Sequence, residues 1–232
     1  MNHNAGKNWT QNFQKVLGIG FKRAEYLEQA LTHKSFAVEK GIDAHNERLE
    51  FLGDAVLSLA AGLYLFNKYP DTDEGTLSKL KSTAVSRKML FNWSQKYDIA
   101  RYVRISESEE LTGGRKKESI LSNTMEAVIG AIFIDSGFET SKKFIFENLD
   151  SKEIVIEDFK SQLQEIVQCE YKTVPHYDII ASAGPEHAKL FKILVSINKK
   201  VMGTGIGKNK KEAQQAAACE ALKKIYNHDK PC

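Results

Sequence analysis

The stretch Asn46-Glu47-Arg48-Leu49-Glu50-Phe51-Leu52-Gly53-Asp54-Ala55-Val56-Leu57 sets three carboxylates at i, i+3 and i+7 within an otherwise largely apolar run. At 3.6 residues per turn, Glu47, Glu50 and Asp54 fall within roughly 60° of one another on a helix. Leu49, Phe51, Leu52, Ala55, Val56, Leu57, Leu59, Ala60 and Ala61 make nearly every other side of that helix a packing surface. Two readings compete. An acidic helix edge is often simply a solvated face. Unpaired carboxylates among packing surfaces are costly, however, unless a metal or a base joins them, and the apolar surroundings favour that second reading.

A second segment, Glu118 to Ala131, places Asn123 and Glu126 at i, i+3 on one helical face. Magnesium takes hard oxygen ligands in octahedral geometry and keeps several waters, so two helices presenting such groups across a cleft can hold it. The chain offers no GxSxG elbow, CxxC pair or HExxH helix, and its six histidines are scattered. Serine-nucleophile and zinc chemistry are therefore poor expectations.

At 232 residues the chain has room for two modest domains. Its 42% hydrophobic and 27% charged residues are ordinary for a soluble globular protein. No uninterrupted apolar run approaches the ~18 residues of a membrane span, and Met1 to Lys7 is polar, without the apolar core of a signal peptide. Cys169, Cys219 and Cys232 are odd in number and lack metal-ligand spacing, which fits a reducing compartment. These features together predict a cytoplasmic protein with no membrane partner.

Residues 1–150 balance 20 basic against 20 acidic side chains, leaving 13 and 10 in residues 151–232, where the whole net charge of +3 resides. Lys199, Lys200, Lys208, Lys210 and Lys211 lie in a stretch of chain free of acids. Such clustering is the footprint of a phosphate-binding face, although a charged surface without a partner has the same composition.

Apolar spacing predicts helices over 24–31, 47–66, 77–97 and 119–134 and no strand before about residue 150. Tyr69-Pro70-Asp71, Gly113-Gly114-Arg115 and Ser136-Gly137 supply turn signals between them. After a linker at 151–157, a helix near 158–170, strand-like runs at 176–182, 189–197 and 200–205, and an alanine-rich helix from about 209 to 226 give the order α-β-β-β-α. The expected architecture is an all-α domain over 1–150 followed by a small α+β domain over 158–228. Asn209 followed by Glu212 predicts a capping box at the start of the last helix, with Lys208, Lys210 and Lys211 around its positive end. Gly203 to Asn209 superficially suggests a nucleotide loop, but a P-loop needs glycine at Met202 and a hydroxyl residue at Asn209. No nucleotide cofactor is expected.

With these segments in view, the run at 46–57 resembles the signature motif of the ribonuclease III family. Ala30 to Ser35 resembles that family's helix ahead of the signature, Asp73-Glu74-Gly75 its acidic turn, and Glu118 to Ala131 its second acidic helix. Residues 158–226 resemble a double-stranded-RNA-binding domain. The resemblance implies a double-strand-specific endoribonuclease that uses Mg2+, with Mn2+ as a substitute, and leaves 5′-phosphate and 3′-hydroxyl ends during rRNA and mRNA processing. It assigns Glu50, Asp54, Asn123 and Glu126 to metal ligation. Glu47, Asp54, Glu74 and Glu126 become catalytic acids, Glu47 and Glu74 lying near a second metal. Gln164, Gln168 and His187 are implied to enter minor grooves, and Lys208, Lys210 and Lys211 to grip phosphates of double-stranded RNA. A homodimer is implied too, with Phe51 inserted into the partner, although plain core packing of Phe51 is an alternative. Most members carry aspartate where this chain has Asn123, which removes one charge from the ligand set. A double-stranded-RNA-binding regulator with a nuclease centre weakened at Asn123 is accordingly the runner-up reading, and a helical structural protein with an acidic face is the third.

Overall fold

The structure, a computed structural model, describes residues 3–151, 158–184 and 189–228. The chain divides into two compact units, Met1–Ile156 and Glu157–Cys232. The linker expected at 151–157 lies outside the described residues except for Ser151.

The first unit is helical: α1 (His3–Leu17), α2 (Ala24–Ala30), α3 (Lys34–Lys40), α4 (Glu47–Lys68), α5 (Glu74–Ala84), α6 (Arg87–Lys96), α7 (Ile99–Tyr102), α8 (Glu107–Leu111) and α9 (Glu118–Asp150). The single helix expected over 77–97 is two helices. Ser86 ends the first and caps the second, its Oγ accepting from Met89 N at 3.3 Å. Likewise, Ala30 to Ser35 is no helix but the junction of α2 and α3. There the His33 ring accepts from Ser35 N, and Thr32 bridges to Arg104 as an isolated parallel pair. Gly137, with φ of +80°, kinks α9 where the Ser136-Gly137 signal lies.

α4 packs chiefly against α9. Leu49, Val56, Leu57, Ala60, Ala61 and Leu65 of α4 meet Met125, Ile129 and Ile132 of α9 in one apolar core. α4 is long and apolar enough by composition to cross a membrane, but eight of its residues are buried within this unit. The crossing is set by two glycines. A Cβ on Gly53 would fall against the Glu126 carbonyl and 2.9 Å from Gly130 N, while one on Gly130 would fall against the Leu49 carbonyl and 3.1 Å from Gly53 N. Only hydrogen atoms at both positions let the two backbones approach this closely.

The second unit runs α10 (Phe159–Tyr171), β1 (His176–Ala183), β2 (Leu190–Ile197), β3 (Lys200–Gly207) and α11 (Lys210–His228). Its antiparallel sheet has the order β1-β2-β3, with Val195 opposite both Tyr177 and Gly203. Asn198 and Lys199, with φ of 49° and 66°, form the tight turn between β2 and β3. Gly203, Gly205 and Gly207 alternate along β3 and face the backbone of α11 at Ala213, Ala217 and Ala221. The glycine-rich stretch is therefore a packing face, and β3 runs two residues beyond its expected end.

Gly130→Ala is expected to destabilise the helical unit by about 3 kcal/mol, because the added methyl meets backbone that cannot rotate away. Thermal unfolding should show a fall of about 10 °C. An unchanged melting temperature would mean the crossing has slack.

Candidate active site and phosphate-binding face

The α4–α9 crossing leaves a cleft of about 450 Å³ directly beside the two glycines, lined by His33, Lys34, Asn46, Glu47, Glu50, Phe51, Asp54, Asn123 and Glu126. Five of the six acidic or amide residues assigned to metal and catalysis thus share one cleft. Glu74 does not: it sits exposed in the first turn of α5, accepting from Ser78 Oγ at 2.8 Å. Phe51 is 80% exposed at the cleft margin, which rules out core packing within this chain.

Charge is held uncomfortably here. Burial first, then the neighbouring Asp54 and Glu50 carboxylates, push the Glu126 carboxyl up to about 7 against the opposing charge of Arg87. Burial and Glu47 raise Glu50 in the same way. Among the described residues, no three acidic, histidine or cysteine side chains converge tightly enough to cage an ion. Asn123 Nδ2 donates to Glu50 Oε1 at 2.8 Å across the cleft, and Lys34 Nζ donates to both Glu47 oxygens at 3.1 Å. As a donor set, three half-buried or exposed carboxylates and an amide oxygen, all hard ligands, suit Mg2+ or Mn2+.

Spacing alone did not reveal several residues that shape this cleft. His33 accepts the Ser35 backbone N–H at Nδ1, which places its ring proton on Nε2, and burial lowers its pKa. Asn46 is 1% exposed, and its backbone N–H donates to Thr32 O at 2.9 Å, fastening the start of α4 to the α2–α3 junction. Lys34 comes from that same junction. Gly53 and Arg87 carried no signal of their own, since a glycine in a helix and an arginine 33 residues beyond Asp54 are unremarkable until the helices cross.

In the second unit, Leu163 and Val167 face the core, leaving Gln164 and Gln168 exposed on the flank of α10 about 100° away. Lys208, Lys210 and Lys211 are exposed around the start of α11. Asn209 Oδ1 accepts from Glu212 N at 2.9 Å, and Glu212 Oε2 accepts from Lys208 N at 2.9 Å. The expected box forms, with the return bond reaching one residue further back than the capping residue. His187 lies outside the described residues.

A Ribonuclease-III-like family model matches residues 23–152, and a double-stranded RNA binding motif model matches residues 159–225. Ribonuclease 3 of Treponema denticola is 44% identical over 220 residues, covering 92% of this chain and 89% of that protein. Ribonuclease 3 of Clostridium kluyveri is 42% identical over 229 residues, covering 96% and 94%. A nuclease-domain structure of ribonuclease III from Campylobacter jejuni, described for flexibility in a region involved in dimer formation, aligns with a TM-score of 0.58 at 40% identity. It covers 62% of this chain and 97% of that one.

The raised Glu126 carboxyl has a pH signature. Its folded value of about 7 lies above the ordinary 4.5. The folded state therefore holds a proton that the unfolded state has lost, and the stability this confers, full below the lower value, disappears as pH rises through the upper one. Glu126→Gln is expected to raise the metal-free melting temperature at about pH 8 and to change it little at about pH 5. Equal shifts at both would show that Glu126 does not titrate in this window.

Proposed function

The chain belongs to the ribonuclease III family, and from that membership we propose that it hydrolyses the phosphodiesters of double-stranded RNA by divalent-metal catalysis, leaving 5′-phosphate and 3′-hydroxyl ends. The class itself, a double-strand-specific endoribonuclease with one nuclease domain and one double-stranded-RNA-binding domain, follows from the matched models and relatives. The observation that carries the metal-dependent chemistry is the cleft in which Glu50, Asp54, Asn123 and Glu126 face one another from two helices.

Those four side chains would hold Mg2+, or Mn2+ in its place, through oxygen. When bound, the ion supplies the acidity that makes water a nucleophile near neutral pH and offsets charge on the leaving oxygen. Glu126, held high first by burial and then by the Asp54 and Glu50 charges, would face a cation there as a carboxylate, the positive charge offsetting both effects. Glu47, tethered by Lys34 at the cleft margin, is the remaining catalytic acid of this chain's cleft. Glu74, outside the cleft, keeps only the role near a second metal that the family pattern assigns.

The binding domain supplies affinity. Gln164 and Gln168 stand exposed to enter a minor groove, His187 would serve the next, and Lys208, Lys210 and Lys211 meet the phosphates between. The proposed division is a catalytic domain over 1–150, a linker over 151–157 and a binding domain over 158–228. The proposed setting is the cytoplasm, where rRNA and mRNA precursors would be substrates.

A homodimer completes the reading. Phe51, Leu59 and Phe66 on α4 are 80%, 62% and 69% exposed, a row of large apolar side chains that a second copy would cover. Phe51→Ala should weaken self-association in sedimentation. A dimer as tight as the parent's would remove Phe51 from the interface.

The direct test of catalysis is cleavage of long duplex RNA in Mg2+ and in chelator. The parent should cut only with the cation, and Glu126→Gln should retain duplex binding while cleaving about 100-fold more slowly or worse. A parent that binds duplex RNA but stays inert in Mg2+ and Mn2+ would overturn the enzyme reading and leave a binding regulator.

A further inference from the structure

The hydrogen bond from Asn123 Nδ2 to Glu50 Oε1, at 2.8 Å, joins α9 to α4 across the cleft between residues 73 apart in the chain. Both side chains are half-buried, so water competes weakly for either group. A carboxylate at position 123 would set two like charges face to face. The amide replaces that repulsion with a charge-assisted donor. Its orientation follows from the same chemistry, because the reversed amide would place Oδ1 against an ionised oxygen.

The arrangement has a consequence for cation entry. The amide carries one oxygen, and while Nδ2 is committed to Glu50, Oδ1 is directed away from that carboxylate. For Asn123 and Glu50 to face one cation, the amide must turn over and the bond between them must break. Glycine contacts fix the two backbones at this point, so the adjustment falls on the side chains.

We propose that Asn123 is a specificity-determining residue that exchanges cation affinity for stability of the cation-free cleft, its hydrogen bond to Glu50 acting as a latch that an entering divalent cation opens. The latch rests on the assignment of metal-dependent catalysis to this cleft. It makes the enzyme sturdier without metal and less responsive when metal is scarce than a chain with aspartate at the same position.

The test is thermal unfolding of the full chain in chelator and across a Mg2+ titration, repeated with Ca2+, for the parent and Asn123→Asp. Asn123→Asp is expected to melt several degrees below the parent in chelator, to gain more from either cation, and to reach half of its gain at several-fold lower Mg2+. Coupling is read by adding Glu50→Ala to each protein in chelator. The change in melting temperature should be more favourable in the Asn123→Asp background, where a repulsion is removed, than in the parent, where a bond is lost. Should Asn123→Asp not fold without cation, Asn123→Ala reads the same bond. Alanine is the better helix former, so a drop in chelator reports the lost latch and an unchanged or higher value overturns it.

Duplex RNA cleavage by the parent is measured alongside. A parent that cleaves in Mg2+ while parent and Asn123→Asp respond identically in chelator and in cation overturns the latch alone. A parent that neither cleaves nor gains stability from Mg2+ overturns the catalytic assignment, and the latch with it.

Discussion

The close approach of α4 and α9 at Gly53 and Gly130 is the constraint on which the site depends. Any side chain at either position would hold the helices apart, and Glu50, Asp54, Asn123 and Glu126, all within about two turns of these glycines, would no longer share a cleft. The same proximity creates the electrical problem that defines the site. Packing of α4 against α9 brings carboxylates into surroundings that penalise their charge, and the cost appears in the raised Glu126 and Glu50 carboxyls. Packing energy holds these groups together against their repulsion, which leaves a cation as the natural partner.

Much of this arrangement was legible in the sequence because it is local. Carboxylates at i, i+3 and i+7 lie on one helical edge whatever the rest of the chain does, and Asn123 and Glu126 follow the same rule. The order α-β-β-β-α was likewise written in short-range alternation and turn residues. What periodicity could not show was interruption by capping. Apolar spacing runs straight through residues 77–97, yet Ser86 caps a new helix by accepting from Met89 N. At 30–35, the pairing of Thr32 with Arg104, a long-range contact, outweighs local helical preference. His33 and Lys34 reach the cleft, and the Arg87 charge acts on its carboxylates, through tertiary folding alone, so no spacing rule could single them out.

Glycine illustrates how context decides meaning. Gly203, Gly205 and Gly207 look like a phosphate-binding loop in composition, but their alternation is that of a strand, and each lies against an alanine-rich helix whose backbone leaves no space for a Cβ. The same device, small residues permitting close approach, therefore sets the core of both units. Charge lies beside each contact: acids in the cleft at the α4–α9 crossing of the first unit, exposed lysines at the start of α11 in the second. On the proposed function, chemistry and affinity fall to separate units.

The central claim is that packing of α4 on α9 assembles an oxygen-lined divalent-cation site. A crystal of the full chain grown with Mn2+ and measured at the manganese absorption edge tests it most directly. The account predicts an anomalous peak between Glu50, Asp54, Asn123 and Glu126, with the Asn123 amide turned so that its oxygen faces the ion. A peak elsewhere, or a crystal grown at saturating Mn2+ with Asn123 still donating to Glu50 and no ion in the cleft, would contradict it.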